Sequence, residues 1–382
     1  MSTELQCALA GRCSGCPWIG QTHADQLARK QADLRALWTA AGIPDEPLGS
    51  LTFLPIAPGG LRDRVELSFR GGDRPRFGLY ATGDDREIVD ICECPQLSPE
   101  LQAWLSEFRK LLPLIRPPIR IGSVRLRISP RGERGAWLDF SHQDVKALMA
   151  DGGWLERLFR QAIVEVGQRR KRLVRKEGRW ALGKPELHYW APTYLGEREV
   201  PLYTTIGGFT QPGRRTIRVL VRELDAVLGE ISGAWVELGA GCGTLTLPLA
   251  ARAESVTAVE TDPLAIAGLA RSAAEAGLGA RVKPLSESFL GRSAPLVEAL
   301  AGASGLLVDP PRSGLGGFLT LLAEQARRPP RLIYVSCSAQ SFVGDAAVLA
   351  RLGYRAVSIR GIDQFPQTPH GEILADFRMA GS

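Results

Sequence analysis

A cysteine lies near the end of the chain, at a point where an apolar run gives way to polar loop residues. The run is Tyr334-Val335-Ser336-Cys337-Ser338, and a second polar segment, Pro369-His370-Gly371-Glu372, follows it. A thiol and a carboxylate are the groups that covalent catalysis with a general base requires. Because a glycine-rich turn lies upstream, we expect one domain to hold both a cofactor site and a nucleophile.

The glycine-rich turn is Gly239-Ala240-Gly241-Cys242-Gly243, and it follows an apolar strand and opens a helix. Glycines at such a turn let a ligand approach the backbone closely. The spacing G-x-G-x-G differs from the G-x-G-x-x-G of a nicotinamide site. Glu260 ends the next predicted strand, where its carboxylate can accept hydrogen bonds from both hydroxyls of a ribose. The arrangement resembles the class I S-adenosylmethionine-dependent methyltransferases. A glycine-rich turn beside a surface glutamate is the alternative interpretation, and Cys242 is interpreted as packing.

Two further side chains are predicted to reach the same site. Asp309 follows the fourth predicted strand of the domain, whose end lies beside the methyl donor in such sheets, and it can bind the cofactor or a target base. Gln211 precedes the strands of the domain and can reach over the cofactor.

Carbon 5 of a pyrimidine is a poor nucleophile towards a methyl sulfonium until a thiolate adds to carbon 6. A base must then remove the carbon 5 proton so that the thiol can leave. Cys337 and Glu372 fit these two roles. In the class I arrangement the seventh strand runs antiparallel between the fifth and sixth, which places the two residues side by side. His370 either tunes the base or is structural.

Together these motifs closely resemble one family, the RNA uracil-5 methyltransferases, and within it the bacterial iron-sulfur 23S ribosomal RNA enzymes that lack an N-terminal TRAM domain. The resemblance spans nearly the whole chain. It is carried by residues 7–16, Gln211, residues 237–243, Glu260, residues 309–314, Ser336-Cys337 and residues 365–372.

The resemblance implies methyl transfer from S-adenosylmethionine to carbon 5 of a uridine in 23S ribosomal RNA. Cys337 is the implied nucleophile and Glu372 the implied base. The implied contacts to the methyl donor are Gln211, Gly239, Gly241, Glu260 and Asp309.

Three positions depart from the family pattern. Ser338 stands where an Asn usually follows the nucleophile, and Pro212-Gly213 replace the end of the usual Phe-Phe-Gln-x-Asn motif. Leu285 stands where an acidic or amide residue is common near the end of the third strand. These changes bear on the adenine contacts and on the placement of the target base, and they leave the two catalytic roles intact.

Four cysteines are predicted to share a ligand site near the N-terminus. Cys7, Cys13 and Cys16 have the spacing C-x5-C-x2-C, and the segment Cys92-Glu93-Cys94-Pro95 offers a fourth thiolate. Such a set suits zinc or a [4Fe-4S] cluster, and unligated thiols are the alternative. The family resemblance implies the cluster, with Cys94 as the fourth ligand. Because the reaction needs no electron, we expect the cluster to shape the RNA-binding surface.

The charge of the chain is unevenly distributed. Residues 109–180 carry 18 Lys and Arg against 7 Asp and Glu. The densest part is 169–176, and the aromatic residues Tyr189, Trp190 and Tyr194 follow it. Such a segment suits a phosphate backbone with bases stacked on rings, whereas a solvated helix face with ordinary core aromatics is the alternative.

Alternation of short apolar strands with helical patterns begins near Ala234 and continues to the end of the chain, which predicts an α/β fold, a Rossmann-like class I sheet of seven strands. The strands are predicted at 234–238, 255–259, 280–285, 305–308, 331–336, 355–360 and 372–378. We expect three regions: residues 1–100 with the iron-sulfur site and a β-rich segment, a basic β-rich RNA-binding region at 101–207, and the catalytic domain at 208–382.

Other functions compete with this interpretation. RNA cytosine-5 methyltransferases place a second cysteine just after Asp-x-Pro, where this chain has Arg312. A transfer RNA uracil methyltransferase and a non-catalytic iron-sulfur RNA-binding protein remain as alternatives. The sequence has no signal peptide and no uninterrupted apolar span, so we expect a cytoplasmic protein without membrane contact. We also expect a monomer with RNA as its partner.

Overall fold

The computed structural model describes residues 4–44, 46–71, 74–115, 121–140, 149, 152–167 and 171–379. The N-terminal segment with three of the cysteines is built of turns and leads into helix α1 (His23–Ala40), where the Thr22 hydroxyl accepts a hydrogen bond from the Asp25 N–H and caps the helix. A 3-10 helix (Glu46–Ser50) and a two-residue strand β1 (Phe53–Leu54) follow.

The middle of the chain forms an eight-stranded sheet. Its strands and helices, in chain order, are β2 (Arg64–Arg70), β3 (Arg76–Ala81), β4 (Asp84–Asp90), α2 (Pro99–Arg109), a 3-10 helix (Leu112–Leu114), β5 (Ile121–Ile128), β6 (Arg134–Asp139), α3 (Gly152–Phe159), β7 (Ile163–Val166), β8 (Lys171–Lys176) and β9 (Arg179–Gly183). The strand order is β4-β3-β2-β5-β6-β7-β8-β9, with β6 and β7 parallel and the other neighbours antiparallel.

This sheet corrects the predicted boundary between residues 100 and 101. Strand β2 pairs with β5 along its whole length, from Arg64–Arg127 to Arg70–Ile121. The apolar face of the sheet is covered by α2, whose Leu101, Trp104 and Phe108 are fully buried. One core therefore spans the predicted division. The sequence did not reveal this, because a long-range antiparallel pairing leaves no trace in local composition.

A separate hairpin of β10 (His188–Leu195) and β11 (Arg198–Thr204) packs beside the catalytic domain. Its aromatic residues Tyr189, Trp190 and Tyr194 are 7%, 2% and 5% exposed. The prediction that they form a base-stacking platform is wrong, since their rings are packed inside the protein. Of the basic segment 169–176, the described part is strand β8 rather than a helix face; residues 169 and 170 lie outside the described part.

The catalytic domain completes the chain. In order, it contains α4 (Arg214–Leu228), β12 (Ala234–Leu238), α5 (Thr246–Arg252), β13 (Ser255–Glu260), α6 (Pro263–Glu275), β14 (Val282–Ser286), α7 (Ala294–Ala301), β15 (Gly305–Val308), α8 (Phe318–Glu324), β16 (Arg331–Ser336), α9 (Ala339–Arg351), β17 (Tyr354–Ile362) and β18 (Glu372–Met379).

The seven strands predicted here all form, and they pair in the order β14-β13-β12-β15-β16-β18-β17 with β18 antiparallel to both neighbours. The sheet has eight strands rather than seven, because β1 adds in parallel to β17 at the edge. The central strands are buried on both faces, as expected of a parallel sheet covered by helices. For example, Leu332 and Tyr334 pack on one face while Ile333 and Val335 pack on the other.

Helix α1 belongs to this domain, although it precedes the central sheet in sequence. Its buried residues are Gln26, Lys30, Leu34 and Trp38, four residues apart and therefore on one face. Leu34 and Trp38 join the core beneath the catalytic sheet. None of the helices in the described part of the chain has the length and apolarity needed to cross a membrane.

Candidate active site

The register of two strands brings Cys337 and Glu372 together. Strand β16 ends at Ser336, which pairs with Ile373 of β18 in the antiparallel ladder. Cys337 directly follows β16 and Glu372 opens β18, so both lie next to this last pair; they line one cavity, and the Glu372 charge acts on the Cys337 thiol. The nucleophile and base predicted from the sequence therefore lie at neighbouring ends of adjacent strands at one edge of the sheet, as the class I strand order requires.

Asp309 lies on the other side of the same strand. It directly follows β15, whose Val308 pairs with Tyr334 of β16. Desolvation raises the pKa of Asp309 to about 7. Burial also raises the pKa of Glu372 well above its usual range, and the nearby Asp309 carboxyl adds to the shift. Two acids in one desolvated site resist simultaneous ionisation, which is typical of catalytic carboxyl groups.

The Cys337 thiol is influenced by charges of both signs. Burial raises its pKa and the Glu372 carboxylate raises it further, whereas a hydrogen bond from Arg312 and its positive charge lower the pKa. Arg312 also lowers the pKa of His370, after the larger effect of desolvation, so that the imidazole favours its neutral form. Arg312 is therefore the cation that supports the thiolate, a role the sequence did not indicate.

The glycine turn between β12 and α5 packs closely against the end of β15, which is a contact within the protein rather than the ligand approach expected from the sequence. Gly239 has a φ of +79°, and a Cβ atom at this position would lie 2.4 Å from the Asp309 carbonyl oxygen. Gly241 and Gly243 also have positive φ, at +55° and +104°. Only glycine fits the first of these positions, because a side chain would collide with the backbone. Cys242 is 2% exposed and packs in the core, as interpreted from the sequence.

Glu260 is held at the end of β13 by backbone donors. The Gly241 N–H donates to its Oε2 at 3.0 Å, and the N–H groups of Thr261 and Asp262 donate to Oε1 at 2.6 Å and 2.9 Å. These bonds fix the carboxylate against the glycine turn and leave acceptor capacity towards the cavity. The geometry suits an acceptor for ribose hydroxyls.

A cavity of about 690 Å³ unites these groups. All seven catalytic and donor-binding residues predicted from the sequence line it: Gln211, Gly239, Gly241, Glu260, Asp309, Cys337 and Glu372. It also takes in residues that sequence reasoning missed: Arg62, Arg64, Phe209, Phe289 and Arg312. Arg64 is the first residue of β2 and Arg62 lies two residues before it, far from the catalytic domain in sequence, so only the tertiary fold reveals them. A volume of this size accommodates a nucleoside-sized ligand with a second ring beside it.

Glu237 was also missed as a site residue. It is 1% exposed, it lines a small extension of the site with Gln211 and Gly239, and its Oε2 lacks a hydrogen-bond partner within the described structure. Burial raises its pKa to about 8, and the charges of Asp309 and Glu260 add to the effect. A buried carboxylate oxygen without a partner beside a cavity is suited to a cationic ligand group.

The segment that carries Gln211 is held by two buried charges of the central region. Arg127 donates to the carbonyl oxygens of residues 205, 206 and 208 and to the Thr210 hydroxyl at 2.6 Å. Glu165 accepts from the N–H groups of Ile206 and Gly207 at 2.9 Å and 3.0 Å. The central sheet thus positions a wall of the catalytic cavity.

Comparison with known proteins shows the family of the chain. No protein-family model matches the chain. An uncharacterized RNA methyltransferase of Bdellovibrio bacteriovorus is 40% identical over 97% of this chain and 95% of its own length. The 23S rRNA (uracil(1939)-C(5))-methyltransferase RlmD of Pseudomonas aeruginosa is 30% identical over 97% of this chain and 79% of its own length. The chain belongs to the RNA uracil-C5 methyltransferase family.

Among solved structures, the Pyrococcus abyssi tRNA (uracil-54, C5)-methyltransferase in complex with S-adenosyl-L-homocysteine superimposes with a TM-score of 0.68. The match covers 96% of this chain and 86% of that structure at 20% identity, so it shows a shared fold. The chain is a class I S-adenosylmethionine-dependent methyltransferase, and its resemblance to the RNA uracil-5 methyltransferase family is confirmed.

The departures from the pattern of RNA uracil-C5 methyltransferases have structural roles. The Ser338 hydroxyl accepts from the Ser341 N–H and caps α9, so this position starts the helix that follows the nucleophile. Gly213 begins α4, and a Cβ there would lie 2.1 Å from the Leu61 carbonyl oxygen. Leu285 packs against the core beneath the sheet, while Phe289, four residues later, reaches the cavity.

A second cavity of about 370 Å³ is lined by the four cysteines that were predicted to ligate zinc or a [4Fe-4S] cluster: Cys7, Cys13, Cys16 and Cys94. The neighbouring Cys92 is exposed and does not line it. Burial, together with the charges of Cys94 and Cys13, raises the pKa of Cys16 to about 12. Across the described residues, no group of three or more His, Cys, Asp or Glu that could hold a metal ion is found.

Proposed function

We propose that the chain transfers a methyl group from S-adenosylmethionine to carbon 5 of a uridine in 23S ribosomal RNA, acting as a cytoplasmic monomer. The observation that carries the proposal is that Cys337 and Glu372, at neighbouring ends of β16 and β18, line one cavity that also contains Glu260 and the glycine turn. A thiol, a carboxyl group and a ribose acceptor in one cavity suit methylation of a pyrimidine carbon.

The chemistry follows from these side chains. The Cys337 thiolate adds to carbon 6 of the uracil, which makes carbon 5 nucleophilic. Carbon 5 attacks the methyl group of the donor, the sulfur–methyl bond of the donor breaks, and S-adenosylhomocysteine is the leaving group. Glu372 then removes the carbon 5 proton, the carbon 5–carbon 6 double bond forms again, and the bond from carbon 6 to Cys337 Sγ breaks to release the thiolate. The two side chains thus act in sequence from neighbouring positions on one ladder.

For Glu372, the raised pKa has a direct consequence. The raised pKa means that Glu372 holds its proton more tightly than an ordinary carboxyl group, and the group must be ionised to serve as the base. Asp309 and Glu237 have raised pKa values of about 7 and about 8, so the cavity gathers acids that hold protons near neutral pH. A cationic donor that binds beside them would favour their ionised forms.

Ribosomal RNA is supported as the substrate by the relative from Pseudomonas aeruginosa, which acts on 23S rRNA. The target uridine must be single-stranded or flipped out of its helix, because a stacked base hides carbon 5 and carbon 6. Arg62, Arg64 and Arg312 line the catalytic cavity, and among the described residues none has a carboxylate within ion-pair distance. They are the proposed contacts to the backbone of the target strand.

On strand β8 the positive charges are partly neutralised. Arg175 pairs with Glu156 and lies over the Trp180 ring, 4.5 Å from its centroid, and Arg172 pairs with Glu186. We therefore propose the described part of the basic segment as a secondary RNA contact and the arginines at the cavity as the primary one.

A [4Fe-4S] cluster on Cys7, Cys13, Cys16 and Cys94 is proposed for the second cavity. The four thiols line one space, and the exposure of Cys92 supports Cys94 as the fourth ligand. A single zinc ion holds its sulfurs at about 2.3 Å, whereas a four-iron cluster places its own iron and sulfide atoms between the cysteines. The cluster is proposed to stabilise the N-terminal segment and takes no part in methyl transfer.

The proposal is tested by methyl transfer from labelled donor to unmodified 23S ribosomal RNA, with unmodified transfer RNA in parallel. Incorporation into 23S RNA as 5-methyluridine is expected, and mapping the 5-methyluridines lost on deletion of the gene identifies the position. Incorporation into transfer RNA alone would show that transfer RNA, and not 23S ribosomal RNA, is the substrate. Tight RNA binding without incorporation would contradict the enzymatic role.

A further inference from the structure

One loop forms a wall of both cavities. Residues 363–371 connect β17 to β18 and lead directly into the base Glu372. Phe365 and Thr368 line the cysteine cavity and the catalytic cavity, and His370 lines the catalytic cavity. The conformation of this loop therefore sets the shape of the space next to Cys337 and Glu372.

A lysine of α1 holds the beginning of the loop. The Lys30 side chain is 1% exposed, and its Nζ lies 2.5 Å from Asp363 Oδ1 and 3.0 Å from the Phe365 carbonyl oxygen. The other oxygen of Asp363 lies 2.7 Å from His23 Nε2. Asp363 is fully buried, so its charge depends on these two partners.

A glutamine one turn earlier holds the middle of the loop. The Gln367 N–H donates to Gln26 Oε1 at 2.7 Å, and Gln26 Nε2 donates to Gln367 Oε1 at 2.9 Å. Gln367 has a φ of +68°, a conformation that residues with a side chain rarely adopt. Gln26 and Gln367 are both fully buried. Two hydrogen bonds from one helix residue thus maintain an uncommon backbone conformation.

The cysteine segment contacts the same residue. The Trp18 N–H donates to the Gln367 carbonyl oxygen at 3.1 Å, only two residues after Cys16. The Trp18 ring is covered by Arg29 of α1, whose guanidinium lies 4.6 Å from the ring centroid. The cysteine segment, α1 and the loop are therefore joined through Gln367.

Helix α1 carries these contacts as part of its buried face. The stripe Gln26, Lys30, Leu34 and Trp38 is polar at its N-terminal half and apolar at its C-terminal half. Leu34 and Trp38 fix the helix to the catalytic core. Burying an amide and an ammonium group is costly unless every polar atom has a partner, and here the partners are supplied by the loop. Two further contacts tie this polar half to the segment before the helix: Gln26 Nε2 donates to the Gln21 carbonyl oxygen at 3.0 Å, and Lys30 Nζ lies 5.8 Å from the centroid of the Trp18 ring.

We propose that Lys30 and Gln26 are positioning residues for the methyl transfer, which hold loop 363–371 in the shape that receives the target uridine. The inference rests on the proposed function of the catalytic cavity. The cysteine segment acts on the reaction through the same contacts, by fixing Gln367. The donor side of the cavity, formed by the glycine turn and Glu260, does not depend on the contacts of Lys30 and Gln26 with the loop.

The proposal is tested with Gln26→Leu and Lys30→Met, with Gln31→Leu on the same helix and the exposed Lys110→Met as matched controls. Donor affinity is measured by calorimetry, and formation of the covalent adduct is measured with RNA that contains 5-fluorouridine. We expect donor affinity to stay within about twofold while adduct formation slows about 10- to 100-fold, because small misplacements of a reacting group have large effects. Lys30→Arg should recover part of the rate.

The outcomes separate the alternatives. Gln26→Leu removes no charge and therefore leaves no buried ion without its partner, so the test stays valid even if Lys30→Met does not fold. Retained donor binding shows that each variant is folded. Adduct formation by Gln26→Leu at the rate of Gln31→Leu would overturn the inference. So would a parallel loss of donor affinity, which indicates a general structural role. If the unmodified protein methylates no RNA, the proposed function itself has failed.

Discussion

Cys337 directly follows β16 and Glu372 opens β18, each next to the Ser336–Ile373 pair that ends the ladder between the two strands. Burial raises the pKa of the Cys337 thiol, the Glu372 carboxylate raises it further, and Arg312 lowers it. The nucleophile thus lies between a carboxylate that disfavours its thiolate and a guanidinium that favours it. In the proposed reaction the target base enters between these groups.

This balance predicts opposite effects of two substitutions. Glu372→Gln should shift the alkylation of Cys337 by iodoacetamide to lower pH, because a negative charge beside the thiolate is removed. Arg312→Gln should shift it to higher pH, because a positive charge is lost. Peptide mapping by mass spectrometry separates Cys337 from the other six cysteines of the chain. Shifts in the same direction would contradict the assignment of charges.

The pH dependence of methyl transfer has the same origin. Thiolate is needed for addition and carboxylate for proton removal, and the pKa values of Cys337 and Glu372 are both raised above their usual ranges. The rate should therefore increase as the pH rises through neutrality. A rate that falls over this range would mean that neither group limits the reaction.

The order of steps predicts different fates for two variants. Cys337→Ala should form no covalent RNA adduct, because no thiol adds to carbon 6. Glu372→Gln should accumulate a methylated adduct, since the proton at carbon 5 stays in place and the thiol cannot leave. Denaturing gel electrophoresis with labelled RNA measures both. Normal turnover by Glu372→Gln would rule out its role as the base.

The cysteine cavity offers an internal control in the pair Cys94 and Cys92. Only Cys94 lines the cavity with Cys7, Cys13 and Cys16, whereas Cys92 is exposed. Cys94→Ala should lose iron and the visible absorption of a cluster when purified without oxygen, and Cys92→Ala should keep both. Equal loss in the two variants would contradict the ligand set, and zinc in place of iron would identify the other metal.

The sequence predicted the catalytic sheet well because its parallel strands are short apolar runs separated by helices, and the class I order then placed Cys337 beside Glu372. It failed where distant segments meet. The pairing of β2 with β5 removed a predicted domain boundary, and the burial of Trp190 removed a predicted stacking platform. Lys30 was invisible as a functional residue, since nothing in a helical pattern shows that a lysine faces a loop more than three hundred residues away.

Glu237 provides a last prediction that links stability to the donor site. Its pKa is raised from about 4.5 in the unfolded chain to about 8 in the folded protein, mainly by burial. The folded state therefore binds the proton more tightly, so the free energy of unfolding falls as the pH rises from about 4.5 to about 8.

The side chain of Gln in the variant Glu237→Gln stays neutral, so the variant should lose this part of the pH dependence. Its thermal unfolding at pH 8 should occur at a higher temperature than that of the unmodified protein, with little difference at pH 5.

The same variant should bind S-adenosylmethionine about 10- to 100-fold more weakly, because the ammonium group of the donor loses a charged acceptor. Thermal melts at both pH values and calorimetric titration of the donor measure the two effects. Unchanged donor affinity would place the orphaned carboxylate oxygen away from the donor, and an unchanged pH dependence would mean that Glu237 is ionised in the folded state without cost.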